Sequence, residues 1–194
     1  MREPAEALDV HVADSLAGLE VAELRSAAAI ADIGSGAGFP GLVLAAALAA
    51  ARVDLVESAA RKCEVIARLA AAAGLDNARA VARRSEEWAR SEGRGAYDAV
   101  TARALGPLAV LVEYAAPLLR DGGVLVAWKG ARDSDEEMAG DTAAGLVGLA
   151  PARLVPVEPF AGARHRHLHL YTKVEATPGR FPRRPGVARK RPLA

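Results

Sequence analysis

The sequence predicts a doubly wound α/β sheet with helices on both faces. Three observations predict it. Short apolar runs alternate with helix-length segments along the chain. The first of these runs, AAIADI, passes directly into a glycine-rich turn, GSGAGFPG, that opens a helix. The last two, ARLVPVEPF and RHLHLYTKV, have no helix-length segment between them, so they pair as antiparallel strands.

Each element follows in order. Residues 3–24 read as a helix. Residues 28–33 form an apolar run suited to a buried parallel strand. Pro40 suits the first helical position, where a missing N–H is harmless, and this helix runs to about residue 50. VDLVE, residues 53–57, is the second strand. Residues 60–74 are helical, with Gly74 as a stop signal. ARAVAR, residues 78–83, is the third strand, and Ser85 is the N-cap of a short helix. YDAVTA, residues 97–102, is the fourth strand and precedes a helix over 107–119. GGVLVAWKG, residues 122–130, is the fifth strand, and residues 133–149 form a helix. Residues 152–160 and 166–174 close the sheet. A dinucleotide fold continues with parallel units. A seven-stranded, mostly parallel sheet with one antiparallel strand is instead the Rossmann-like arrangement of S-adenosylmethionine-dependent methyltransferases. The expected organisation is an N-terminal helical segment over 1–27, a methyltransferase domain over 28–175 and a basic tail over 176–194.

Composition narrows the classes. A chain of 194 residues with 52% hydrophobic content is long and apolar enough for one globular domain. The single cysteine, Cys63, excludes an internal disulfide and a cysteine-rich zinc site, and fits a reducing cytoplasm. The charged start, MREPAEALDV, does not resemble a signal peptide, and the longest apolar run is too short to span a bilayer. No membrane partner is expected. The net charge of +1 is unevenly placed. From residue 176 onward there are six Lys/Arg and no acids, leaving 24 acidic against 19 basic residues before it. An acidic body with a basic end suggests a polyanionic partner such as nucleic acid.

The glycine turn fits two ligand classes. Gly36, Gly38 and Gly41 match the dinucleotide pattern G-x-G-x-x-G. Asp32, Gly34 and Gly36 match another pattern, with an acid two residues before the first glycine. A dinucleotide would rest its pyrophosphate on the following helix, and Asp32 would be a poor neighbour for it. S-adenosylmethionine has no phosphate, and Asp32 suits its cationic methionine half as counterion or water anchor. Glu57, 21 residues after Gly36, is placed to accept both ribose hydroxyls. No Gly-Lys-Ser/Thr follows the turn, which excludes a P-loop. The blander alternative makes these glycines only a tight connection.

Absences narrow the acceptor. No Asn/Asp-Pro-Pro-aromatic stretch follows the fourth strand, where the chain reads TARALGP, so exocyclic-amine methylation is disfavoured. Cys63 lies within a helix, as a packing residue and not a nucleophile. The remaining acceptors are a nucleophile with a free lone pair, such as guanine N7, a hydroxyl or a small molecule. Guanine N7 carries no proton, so catalysis there rests on alignment and needs no general base. His165, His167 and His169 alternate on one strand face, read as titratable side chains and not as a metal site.

DIGSGAGFPG, TARAL, VAWKG, RFPRRPGVARKRPL and the early HVADSL, taken in order, resemble the glucose-inhibited division protein B family, bacterial guanine-N7 methyltransferases of 16S ribosomal RNA. The resemblance spans nearly the whole chain. It implies that Gly34, Gly36, Gly38 and Phe39 line the cofactor turn, with Glu57 on the ribose. It implies that Ser85 and Glu86 flank the adenine, the family usually having Ala at the Ser85 position. Arg103 would sit between the methionine end and the target base as a positioning residue. His11, Asp14 and Ser15 share one helical face, on a helix expected to lie over the pocket with His11 toward RNA. Lys129 would face the same rim. Arg183, Arg184, Arg189, Lys190 and Arg191 would meet RNA phosphates. The implied partner is 16S ribosomal RNA or the small ribosomal subunit, for a cytoplasmic, metal-free monomer. Three other readings stand beside this one: a small-molecule methyltransferase on the same scaffold, an NAD-dependent oxidoreductase, and a non-catalytic RNA-binding protein.

Overall fold

The computed structural model describes the backbone of residues 4–194 and the side chains of residues 8–194. Among the described residues, one sheet holds seven strands: β1 (Ala29–Ile33), β2 (Arg52–Glu57), β3 (Ala78–Ala82), β4 (Tyr97–Arg103), β5 (Leu119–Lys129), β6 (Arg153–Val157) and β7 (Arg166–Thr172). Their order is β3-β2-β1-β4-β5-β7-β6. β7 runs antiparallel to both β5 and β6, and the other pairs are parallel. The strand order reverses between β1 and β4, so a crevice opens beyond the carboxyl ends of these strands.

Burial explains the composition of each element. β1 and β4 are covered on both faces; β1 is an apolar run broken only by Asp32, and β4 carries Asp98 and Thr101 buried among its apolar residues. The helices are α1 (Pro4–Leu16), α2 (Ala22–Arg25), α3 (Gly41–Ala47), α4 (Ala60–Ala72), α5 (Ser85–Trp88), α6 (Leu108–Ala115), α7 (Ser134–Val147) and α8 (Val187–Lys190). α4 buries only Cys63, Ile66 and Ala70, a stripe at spacings of three and four. The Cys63 thiol donates to the Glu57 carbonyl at 3.2 Å, consistent with a packing role. At α7, Asp133 accepts from the Asp135 and Glu136 amides at 3.0 and 3.1 Å, an N-cap in the expected place.

Several boundaries differ from the expectation. The helix foreseen over 3–24, whose first residue lies outside the described ones, is three pieces: α1, a 3-10 turn over Ala17–Glu20, and α2. Ser15 bonds back to the His11 carbonyl at 2.7 Å, which loosens the helix end. Gly18 then passes under the Trp128 ring. Pro40 stands just before α3 and not within it. Arg84, not Ser85, is the N-cap of α5, and its amide donates to the Glu87 carboxylate at 3.3 Å. α6 stops at Ala115 because Pro117 cannot continue it. The freed chain enters β5 early, with Leu119 pairing with Tyr97.

The largest departure is the C-terminal segment. It was expected as a basic tail, but it packs into the domain. Phe181 and Ala188 are buried in the core cluster that contains α6. Arg90 and Arg94 donate to the carbonyls of Pro182 and Phe181 at 2.7 and 3.4 Å. α6 is buried along its whole length and carries one acid, Glu113, only 1% exposed. Arg183 satisfies it: Nε lies 2.9 and 3.0 Å from the two carboxylate oxygens, Nη2 lies 2.5 Å from one of them, and the backbone amide adds a bond of 3.1 Å. Arg183 was expected on RNA phosphates; its guanidinium is instead engaged by Glu113.

Removing one partner of a buried pair strands the other charge in a low-dielectric interior. Arg183→Ala is therefore expected to lower stability by about 3 kcal/mol or more. Arg184→Ala, at an exposed neighbour, should stay within about 0.5 kcal/mol of the parent. Urea unfolding of the two variants checks this, and equal midpoints would show that the segment is not held by the pair.

Candidate active site

The glycine turn leaves β1 and crosses the end of β2. The Gly34 amide donates to the Val56 carbonyl at 2.8 Å, and the Gly38 amide to the Ser35 carbonyl at 2.7 Å. Gly34 has φ +67°, and a Cβ there would stand 2.4 Å from Leu105 Cδ1. Only glycine fits both the left-handed backbone and that approach. The Gly36 amide points to Glu57 Oε2 at 3.1 Å. Glu57 Oε1 accepts from the Ala59 amide at 2.9 Å and the Ser58 hydroxyl at 3.3 Å. The carboxylate is thus fixed in orientation at the end of β2.

Asp32 does not lie on the wall of the crevice, where it was expected to meet the ligand's cationic half. It is fully buried beneath the turn. Its Oδ1 accepts from the Thr101 hydroxyl at 2.9 Å, and its Oδ2 from the Gly41 amide at 3.2 Å. A Cβ on Gly41 would stand 2.8 Å from the same oxygen, which explains the third glycine of the apparent dinucleotide pattern as packing. Burial pushes the Asp32 carboxyl up to about 6, against the opposing pull of Ser35, Thr101, Gly41 and Arg103. Gly38 is also absent from the wall; it shapes the turn from behind, against Leu42.

The crevice is a cavity of about 550 Å³. Gly34, Gly36, Phe39, Glu57, Ser85, Glu86 and Arg103 all line it. So do four groups that periodicity did not single out: Lys62, Arg83, Arg84 and Tyr114. His11 reaches the wall because α1 lies over the turn. Arg103 Nη1 donates to Asp14 Oδ2 at 2.8 Å and to the His11 carbonyl at 3.3 Å. Its guanidinium stands 5.4 Å from the centroid of Phe39, and the His11 ring 5.6 Å from the same ring. The helix expected over the pocket is there, and its seat is Arg103.

A second cavity, of about 360 Å³, adjoins the first. His11, Arg103 and Ala104 border both. Ala104 has φ +54°, an uncommon left-handed conformation for alanine, where the chain bends off β4. Asp14 lines the second cavity beside Arg103, and the rest of its wall includes Trp128, Lys129, Arg166 and His167. Trp128 Nε1 donates to the Asp14 carbonyl at 2.8 Å, tying α1 to β5. Lys129 is on this rim as foreseen, but its ammonium pairs with Glu136 at 2.6 Å. His167 meets the Gly130 carbonyl at 3.1 Å and His169 meets Glu137 at 3.3 Å. Among the described residues no group of three or more His, Cys, Asp or Glu could hold a metal, and no helix is long and apolar enough to cross a membrane.

The sequence model of the family described as rRNA small subunit methyltransferase G matches residues 1–165. The chain belongs to that family. The ribosomal RNA small subunit methyltransferase G of Rubrobacter xylanophilus is 42% identical over 99% of this chain and 75% of its own length. That of Deinococcus radiodurans is 41% identical over 94% and 73%. The crystal structure of an Agrobacterium tumefaciens protein, described as a predicted O-methyltransferase, shares the fold with a TM-score of 0.65, 21% identity and coverage of 84% and 81%. Family membership gives the two adjoining cavities a context: a donor and an acceptor must meet at one wall.

The buried Asp32 carboxyl has a pH signature. Its value in the folded protein exceeds its ordinary 3.8, so between about pH 4 and 6 the folded state holds a proton that the unfolded state has released. This contribution favours the folded state below pH 4 and is lost as pH rises through 6. Asp32→Asn keeps an acceptor for the Gly41 amide and a donor for Thr101 without the charge. Urea unfolding at pH 4.5 and 7.5 should show that the stability advantage of Asp32→Asn over the parent grows with pH. A constant difference would contradict a buried titrating carboxyl.

Proposed function

We propose that this protein transfers a methyl group from S-adenosylmethionine to N7 of a guanine in small-subunit ribosomal RNA. The observation that carries this reading is the pair of cavities on one sheet edge with Arg103, His11 and Ala104 as their common wall. The residues of the first cavity fit the cofactor. Glu57 already accepts three donors, two on Oε1 and one on Oε2, which leaves about one acceptor site on Oε2 for a ribose hydroxyl. Gly34 and Gly36 let the methionine half approach the backbone. Ser85 and Glu86 stand at the end of β3 for the adenine, and Arg103 offers a cation to the methionine carboxylate. When bound, the cofactor supplies a methyl group on a cationic sulfur.

The second cavity suits the acceptor. A guanine must leave its stack to present N7 in line with that methyl. Its lone pair is already free, so the chain has only to bind, orient and exclude water. Asp14, the acid nearest the common wall, is held by Arg103 as an ion pair and acts by positioning it. α1 lies beside the junction, with His11 on both walls and Asp14 on the second. Arg184, Lys190 and Arg191 are exposed on the C-terminal segment and would neutralise backbone phosphates, giving salt-dependent affinity with little sequence discrimination.

The test is label transfer from S-adenosylmethionine to small-subunit RNA from cells lacking this modification, as free RNA and as assembled subunits. Labelled 7-methylguanosine is expected, and no label in either form overturns the reading. Arg103→Ala should lower kcat/KM by roughly 100-fold, through lost alignment. Arg103→Lys should recover only part of it, because the planar fork is lost. The unfolding midpoint should fall as well, since both partners of the Arg103–Asp14 pair are only 14% exposed and Asp14 is left without its cation; kcat/KM is therefore compared at a temperature where every variant is folded.

A further inference from the structure

The C-terminal segment reaches the first cavity. Arg189 lines it together with Glu86, Leu105 and Tyr114. Two bonds hold the segment there. The Gly186 amide donates to Glu86 Oε1 at 2.8 Å, and Arg189 Nη2 donates to the Leu105 carbonyl at 2.9 Å. Behind them, Ala188 is buried and Arg183 is locked on Glu113. Leu105 is the side chain that packs on Gly34, so the segment touches both the turn and the β3 end of the cavity.

We propose that Arg189 is a cofactor-binding residue, a guanidinium wall for the adenosine half of S-adenosylmethionine, and not the RNA-phosphate contact its place in a basic run suggests. The proposal rests on the methyltransferase reading above. Glu57 at the end of β2 takes the ribose, so the adenine extends toward Ser85 and Glu86 at the end of β3. Arg189 stands on that side, beside Tyr114, whose hydroxyl is pushed up to about 12 by burial and then by the nearby Glu86. The phenol is therefore neutral at working pH and offers a polar edge without a competing charge. A planar, weakly hydrated guanidinium can lie against the π-face of a purine, which an ammonium cannot do equally well. The carbonyl bond to Leu105 preorganises it there. All four cations, Arg184, Arg189, Lys190 and Arg191, are exposed, but only Arg189 lines this cavity, so one short segment carries two chemistries.

Calorimetric titration with S-adenosylhomocysteine and with 5′-methylthioadenosine, which lacks the amino-acid half, tests this. Arg189→Ala should weaken both ligands by roughly tenfold, while Arg189→Lys recovers only part of the loss. Arg103→Ala should weaken S-adenosylhomocysteine but leave methylthioadenosine nearly unchanged. The triple variant Arg184→Ala, Lys190→Ala, Arg191→Ala should bind both ligands as the parent does. Parent-like affinity in Arg189→Ala overturns the inference, as does an equal loss in the triple variant, which would signal only general electrostatics. A parent protein that ignores S-adenosylhomocysteine would instead overturn the methyltransferase reading itself.

Discussion

The Asp32 carboxylate joins three parts of the fold that must meet for the cavity to exist: the end of β1, the middle of β4 and the start of α3. It does so through Thr101 on one oxygen and the Gly41 amide on the other. An ionisable group at 0% exposure is tolerated only when its hydrogen bonds are made, and here both oxygens have partners. Pinning β1 and α3 fixes the two ends of the glycine turn. What lies between has little freedom left, and its amides are directed at Val56 and Glu57. The orientation of Glu57, and so the ribose end of the proposed cofactor site, follows from a group that never touches the ligand.

A second constraint is the distribution of charge. The first cavity is bordered by Lys62, Arg83, Arg84, Arg103 and Arg189, against Glu57 and Glu86. Both acids are nearly buried and hydrogen-bonded. The cations sit around them, toward solvent. Such a rim draws polyanions by its field, while the acids inside set the orientation of a nucleoside. The same edge of the sheet can therefore attract RNA and hold a cationic cofactor without conflict.

Helix α1 and the C-terminal segment come from opposite ends of the chain, and both cover the sheet edge. Each is held by an arginine–acid pair across the fold: Arg103 with Asp14, and Arg183 with Glu113. The two pairs differ in kind. The Arg103–Asp14 pair is mostly buried and borders the second cavity, so it contributes to stability and also sets where Arg103 lies. The Arg183–Glu113 pair closes over an acid on a fully buried helix, where an unmatched charge would be severe. One end of the chain is thus anchored as a cover near the reaction, and the other is fixed as part of the core.

Much of this was legible in the sequence, because local patterns carry it. Alternating apolar runs and helical segments specify seven strands and their helices, since side-chain periodicity is a property of neighbours in the chain. The turn after β1 and the acid 21 residues beyond Gly36 locate Glu57, because strand ends in this topology share one edge. Arg103 follows for the same reason. Glu113 was a signal left unread: one acid in LAVLVEYA, a helix otherwise apolar, demands a buried partner. That partner stands 70 residues away, and Glu86 meets Gly186 across 100. No periodicity connects such positions. Whether Asp32 faces a ligand or the interior, and whether a run of arginines is a free arm or a wall, depends on which distant surfaces close on them. The sequence by itself determined the sheet, the turn and the reactive edge, because short-range sterics and hydrophobic spacing do so. Only the tertiary structure decided which charges line the cavity and which are spent in the core, because pairing and desolvation are set by contacts between remote parts of the chain.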